Sequence, residues 1–227
     1  MPMFFDSSFI YLIPAIIFAM YAQSKVKSTF AKFLKVRTQK GYTGYQVART
    51  ILNNNRLDNI KIEITPGKMS DHYDPRSRVL RLSNDVYHGS SIAAVSVAAH
   101  EVGHAVQHSV GYAPLGIRNA IFPIAKFGSS FAMFFVFGGF ILQAVNLIDI
   151  GIYLYMAAVI FQVVTLPVEF NASSRAMDML EANGFIVKAE YSKAKQVLNA
   201  AALTYVAAMA TSLAQLFRLI ALRNRRA

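Results

Sequence analysis

Three stretches of this chain carry no charge over lengths that can cross a bilayer: Ser7–Ser24, Phe127–Ile148 and Ile150–Val168. A helix of ~20 residues at ~1.5 Å rise spans the ~30 Å hydrocarbon layer. Lipid offers the backbone no hydrogen bonds, so runs of this length must close their own, as helices do. The chain is therefore expected to be mainly α and integral to the membrane. Its 55% hydrophobic content exceeds the ~45–50% of soluble domains. A fourth run, Gln196–Phe217, is rich in alanine and interrupted by Asn199, Thr204, Thr211, Ser212 and Gln215. About three to four transmembrane helices follow, with the last left open.

The charges around these runs suggest an orientation. Only Asp6 precedes the first run, whereas Lys25, Lys27, Lys32, Lys35, Arg37 and Lys40 follow it. A secretory signal has the reverse order. The run reads as an anchor with its N-terminus outside and the next segment cytoplasmic. Only Asn146–Asp149 separates the second run from the third, so the two form a hairpin. Arg118 and Lys126 flank one hairpin end and Arg175 and Lys188 the other, placing both ends in the cytoplasm. The fourth run has equally basic flanks and takes no orientation from them. Fourteen of the 23 Lys and Arg residues lie in 25–120, and the net charge is +11. Because basic residues border apolar runs, an anionic bilayer surface accounts for that charge better than nucleic acid, and no nucleic-acid partner is expected.

The domain plan has five parts. Residues 7–24 form an N-terminal anchor and 25–120 a cytoplasmic domain. Residues 121–168 form a transmembrane hairpin, 169–195 a cytoplasmic segment, and 196–222 a C-terminal apolar helix. Within the cytoplasmic domain, Tyr42–Asn55 has helical spacing with Thr43 as a candidate N-cap. Lys61–Thr65 alternates as a strand does, and Arg78–Leu82 is a second short strand. The turn-rich Asp71–Pro75 lies between them. Ser90 or Ser91 can cap a helix that runs to about Val110, closed by Gly111 and Pro114.

That last helix carries His100-Glu101-Val102-Gly103-His104, an HExxH sequence. Histidines at i and i+4 share one helical face and can bind one zinc ion. Glu101 lies about 100° further round, where it can act as general base on a zinc-activated water without binding the metal. There are no cysteines, so a third protein ligand must be imidazole or carboxylate. His108 continues the i+4 series but stands about 12 Å from His100 along the axis at 1.5 Å per residue, too far for one ion. Glu169 follows the hairpin directly. Two matched spans return the chain to its starting depth, which brings Glu169 back toward the histidine pair. His72 is the next candidate. Arg175, Tyr205 and His72 are conceivable donors to a transition-state oxyanion.

The segments His-Glu-Val-Gly-His-Ala-Val-Gln-His (100–108) and Leu-Pro-Val-Glu-Phe-Asn-Ala-Ser-Ser-Arg-Ala (166–176) resemble the paired signatures of YugP-like membrane zinc metallopeptidases. Asp71-His72-Tyr73-Asp74-Pro75-Arg76 is similar to that family as well. A more distant likeness is to HtpX and the CAAX prenyl proteases. In those enzymes the late glutamate is the third zinc ligand, which implies that role for Glu169. They usually carry aspartate four residues later to orient a histidine, where this chain has Ser173. The resemblance implies a zincin-like α+β catalytic domain with a small β-sheet, in a multi-pass protein of a bacterial cell membrane. It implies a gluzincin-like zinc metalloendopeptidase with His100, His104 and Glu169 on Zn2+ and Glu101 as catalytic base. The expected substrates are membrane-associated or unfolded proteins. A membrane-protein partner or a homo-oligomer is left open. The strand at Arg78–Leu82 offers an edge for an extended peptide. A non-catalytic scaffold or a transporter is the rival reading. Transport fits poorly, since the two hairpin runs hold no ionisable acid or base.

Overall fold

The structure is a computed structural model that describes residues 7–224. Asp6, Arg225 and Arg226, which border the apolar runs, lie outside the described residues. A short 3-10 turn at Ser7–Tyr11 leads into α1 (Ile13–Leu34). There follow α2 (Gly44–Asn54), β1 (Lys61–Thr65), β2 (His72–Asp74), β3 (Val79–Ser83), α3 (Asn84–Tyr87) and α4 (Ile92–Ser109). The rest is helical: α5 (Ala113–Ile141), α6 (Val145–Ala182) and α7 (Lys188–Asn224). Four helical stretches are long and apolar enough to cross a membrane: Ser8–Leu34, Ala113–Ile141, Val145–Ala182 and Lys188–Asn224.

The chain divides into two units. One comprises Ser24–Tyr112 and Val168–Leu203 and contains the sheet. The other comprises Ala113–Pro167 with the segments before Ser24 and from Thr204 onward, and is helical.

The sheet-bearing unit is built round α4. Its apolar residues occur on nearly every side of the helix, as suits a buried helix rather than an amphipathic one. Ile92, Val95, Ala98, Ala99 and Val102 are fully buried with Ile51 and Leu52 of α2, Leu80 and Leu82 of β3, and Leu180 of α6. Burying each large aliphatic side chain contributes about 1.5–3 kcal/mol. Thr43 caps α2 in a reciprocal box with Gln46, and Ser91 caps α4 by accepting from the Ala94 N–H. Gly111 follows the α4 C-cap with φ +63°, the left-handed turn that glycine adopts without strain. Pro114 lies in the first turn of α5 rather than closing α4, where its missing N–H costs nothing.

The sheet order is β1-β3-β2, with β1 parallel and β2 antiparallel to β3. This corrects the edge reading of Arg78–Leu82. That strand is central, and both of its edges are occupied. The missed partner is β2, hidden because Asp71–Pro75 is written in turn-forming residues. Asp71 is the anchor that turns this segment into a strand. Its carboxylate accepts from the Ser83 backbone N–H at 2.7 Å and the Ser83 hydroxyl at 3.0 Å.

In the helical unit the hairpin turn also falls earlier than Asn146–Asp149. The break is at residues 142–144, with Gln143 at φ +53°. Asp149 is drawn into α6, where Arg223 holds it through two contacts of 2.9 and 3.2 Å. Close packing of α5 on α6 needs glycine. A Cβ at Gly139 would stand 2.6 Å from Ile148, and one at Gly151 would stand 2.7 Å from the Ala132 carbonyl. Ser212 meets Tyr155 and Arg223 meets Asp149, so α7 runs antiparallel to α6 through this unit. The C-terminal part of the fourth apolar run therefore lies alongside α6, and α7 ends beside the α5–α6 turn. Arg218 lies over the Phe9 ring at 5.6 Å, which brings the start of the first apolar run to the same end.

The protein has no cysteine, so single cysteines report sidedness directly. Cysteines at Gln143 and Asn224 should behave alike toward an impermeant thiol reagent on intact cells. Opposite behaviour would contradict the antiparallel placement of α7.

Candidate metal centre

α4 enters the core by its N-cap and carries His100, Glu101 and His104 at its middle. His100 and Glu101 are each 9% exposed, and Glu169 is 3% exposed. The i, i+4 spacing sets the two imidazoles 4.8 Å apart, centre to centre, and nearly perpendicular at 84°. Glu169 comes from α6, which packs on the same face. A Cβ at Gly103 would stand 2.8 Å from the Ala172 carbonyl oxygen, so backbone meets backbone there. Only the absence of a side chain at this variable position of HExxH lets α6 come so near.

The three ligand-bearing side chains converge. His100 Nε2 is 3.4 Å and His104 Nε2 3.5 Å from Glu169 Oε2. All three candidate ligand atoms lie within 4.8 Å of one another, so the group can hold a metal ion. These separations exceed the ~2.7–3.2 Å of an N–H···O hydrogen bond. They match tetrahedral zinc, whose ~2.0–2.1 Å bonds set ligand atoms ~3.4 Å apart. Two nitrogens and one carboxylate oxygen also form the donor set of a catalytic zinc with one position open.

A family model described as "Putative neutral zinc metallopeptidase" matches residues 8–224. The chain belongs to this family. It is also 50% identical over 213 residues to the "Putative membrane protease YugP" of Bacillus subtilis (strain 168), covering 93% of this chain and 95% of that protein. No solved structure matches.

Both ring Nδ1 atoms have partners apart from Glu169. Ser173 Oγ, four residues after Glu169, lies 3.2 Å from His100 Nδ1. Gln107 Oε1 lies 3.0 Å from His104 Nδ1. Such outer partners orient metal-binding imidazoles. Burial works against the charged form of His104, yet the Glu169 carboxylate outweighs it and holds the ring above the ordinary histidine pKa. Burial pushes the Glu101 carboxyl up, while His100 and His104 pull it back down.

The other sequence candidates are outside the ligand group among the described residues. His108 Nδ1 is 3.0 Å from the Tyr73 hydroxyl, and among the described residues it is not in the ligand group. His72 sits on β2 between the Ser70 carbonyl and Arg81. Arg175 donates its Nε to Asn171. Tyr205 belongs to the helical unit. Sequence reasoning missed Gln107 and Asn171. The available signal was a glutamine one turn beyond His104 in a helix otherwise suited to burial.

Gly103→Ala tests the backbone contact. The new methyl has no space, and overpacking of this kind costs about 1–3 kcal/mol. The expected outcome is a lowered melting temperature. An unchanged melt would show that α6 is free to yield.

Proposed function

We propose that this protein is a membrane-embedded, gluzincin-like zinc endopeptidase that hydrolyses peptide bonds of membrane-associated or unfolded proteins. The observation that carries the reading is the convergence of His100, His104 and Glu169 beside a buried Glu101. The two imidazoles and the Glu169 carboxylate would hold the ion. When bound, zinc supplies Lewis acidity, which lowers the pKa of a water to ~7 and polarises a carbonyl. Glu101 follows His100 on the helix and acts as general base. Its carboxylate takes the proton of the attacking water and passes it to the leaving amine. Burial raises its proton affinity and the histidines restrain that rise, which suits a group that must both accept and return a proton. The zincin-like description rests on the HExxH helix packed against a small mixed sheet.

The sheet-bearing unit is assigned to the cytoplasm. Support comes from Lys25, Lys27, Lys32, Lys35, Arg37 and Lys40 after the first apolar run, against a hairpin turn whose nearest charge, Asp149, is neutralised by Arg223. A cysteine at Lys40 should resist an impermeant thiol reagent on intact cells while one at Gln143 reacts. The reverse pattern would invert the topology.

Two substitutions separate the catalytic roles in purified protein in detergent. Glu101→Gln keeps both imidazoles and should retain one zinc equivalent while casein cleavage falls by ~10²–10⁴-fold. Glu169→Ala should lose zinc affinity and activity together. Unchanged cleavage by Glu101→Gln removes it as the base, and full zinc retention by Glu169→Ala moves the third ligand elsewhere.

A further inference from the structure

The Gln107 side chain is fully buried on α4, one turn past His104. Arg175 Nε donates to Asn171 Oδ1 at 2.8 Å. Gln107 Nε2 donates to the same oxygen at 3.0 Å and to the Val168 carbonyl at 2.8 Å. Gln107 Oε1 faces His104 Nδ1 at 3.0 Å.

These contacts have a single consistent polarity. A guanidinium has donors and no acceptor, so Asn171 must turn its oxygen toward Arg175. Gln107 must then present its NH2 to that oxygen and to Val168. Its own oxygen is left for His104, and an oxygen there requires Nδ1 to carry a hydrogen. In the neutral ring Nε2 then keeps its lone pair, and Nε2 is the atom 3.5 Å from Glu169. The Val168 carbonyl and, three hydrogen bonds away, the Arg175 cation thus agree in fixing the tautomer of His104. Ser173 has no such effect on His100, because a hydroxyl both donates and accepts.

The same amide has a second consequence. Val168 immediately precedes Glu169, so the bond to its carbonyl ties α4 to the α6 backbone beside the carboxylate. We propose that Gln107 is a positioning residue of the zinc site. It fixes His104 in the tautomer whose Nε2 can bind the ion, and it holds α6 in register for Glu169. This rests on the zinc reading above.

Loss of an outer partner of a metal-binding histidine weakens metal by ~10–100-fold. The test uses the full chain in detergent, with zinc affinity measured by competition against a chelating fluorophore and melting followed in metal-free protein. Wild type is measured first. If it binds no zinc, the metal-centre reading fails and the role of Gln107 fails with it. If it binds zinc, Gln107→Met should bind ~10–100-fold more weakly, since it fills similar space without polar groups. Gln107→Glu keeps an acceptor for Nδ1–H but loses the donors to Val168 and Asn171, so it should bind zinc less tightly than wild type and more tightly than Gln107→Met. Wild-type zinc affinity in Gln107→Met, with only the metal-free melt lowered, would assign the residue to packing alone and overturn the proposal. So would a Glu variant that binds no better than the Met variant. Should Gln107→Met fail to fold, the Glu variant decides: a partial loss of about two- to tenfold supports the role, and either wild-type affinity or a loss beyond about tenfold overturns it.

Discussion

A carboxylate held between two imidazoles in an apolar interior requires the helices that carry them to approach at backbone distance. Burying such a charge without partners costs several kcal/mol. Here the approach is made at Gly103 and Ala172, where no side chain intervenes. Small residues continue the two faces that meet there, Ala99 one turn before Gly103 on α4 and Ala176 one turn after Ala172 on α6, all inaccessible. They leave room for polar groups that are large relative to the gap. Ser173 and Gln107 then reach across it to opposite ends of the histidine pair. The metal centre is therefore a product of helix packing, with its polar contacts built on a backbone contact.

The two units achieve their packing differently. The sheet-bearing unit buries a broad cluster drawn from α2, β3, α4, α6 and α7, as water-driven collapse requires. In the helical unit the buried cluster is small: Val136, Ile148, Ile152 and Leu219. Its large apolar side chains point outward instead, among them Met20, Phe134, Ile141 and Leu142. Lipid removes the hydrophobic incentive for helices to associate, so small-residue contacts and polar pairs take its place. Gly139, Gly151 and the Asp149–Arg223 pair fill those roles.

The site was largely legible because its chemistry is written locally. HExxH fixes two imidazoles by helical period alone, and Thr43 and Ser91 announce their helices through capping. Glu169 was legible through a topological argument, since matched runs must return the chain. Pairing between distant segments was harder to read. β2 is a strand only because Asp71 reaches Ser83, twelve residues on, and that bond overrides the turn character of its sequence. The fourth apolar run could not be oriented by counting flanking charges. One of those charges, Arg223, is cancelled by a partner 74 residues away. Gln107 and Asn171 escaped notice for the same reason. Their roles exist only once α4 and α6 are side by side.

Charge balance accounts for the neutral outer contacts. In the proposed zinc-bound state, a divalent ion meets the negative charges of Glu169 and Glu101, and the buried cluster sums to zero when both are ionised. No further carboxylate is needed for neutrality, so a serine at 173 and an amide at 107 suffice to direct the rings. A neutral acceptor makes an imidazole less basic than a carboxylate would, which leaves more positive character on the ion for the water it must acidify. A nearby cation, Arg175, is separated from the centre by two amides. It orders the hydrogen bonds without adding its charge to the site. The two signature segments are thus joined twice, by the ion-binding trio on one side of the histidines and by a polarised amide chain on the other.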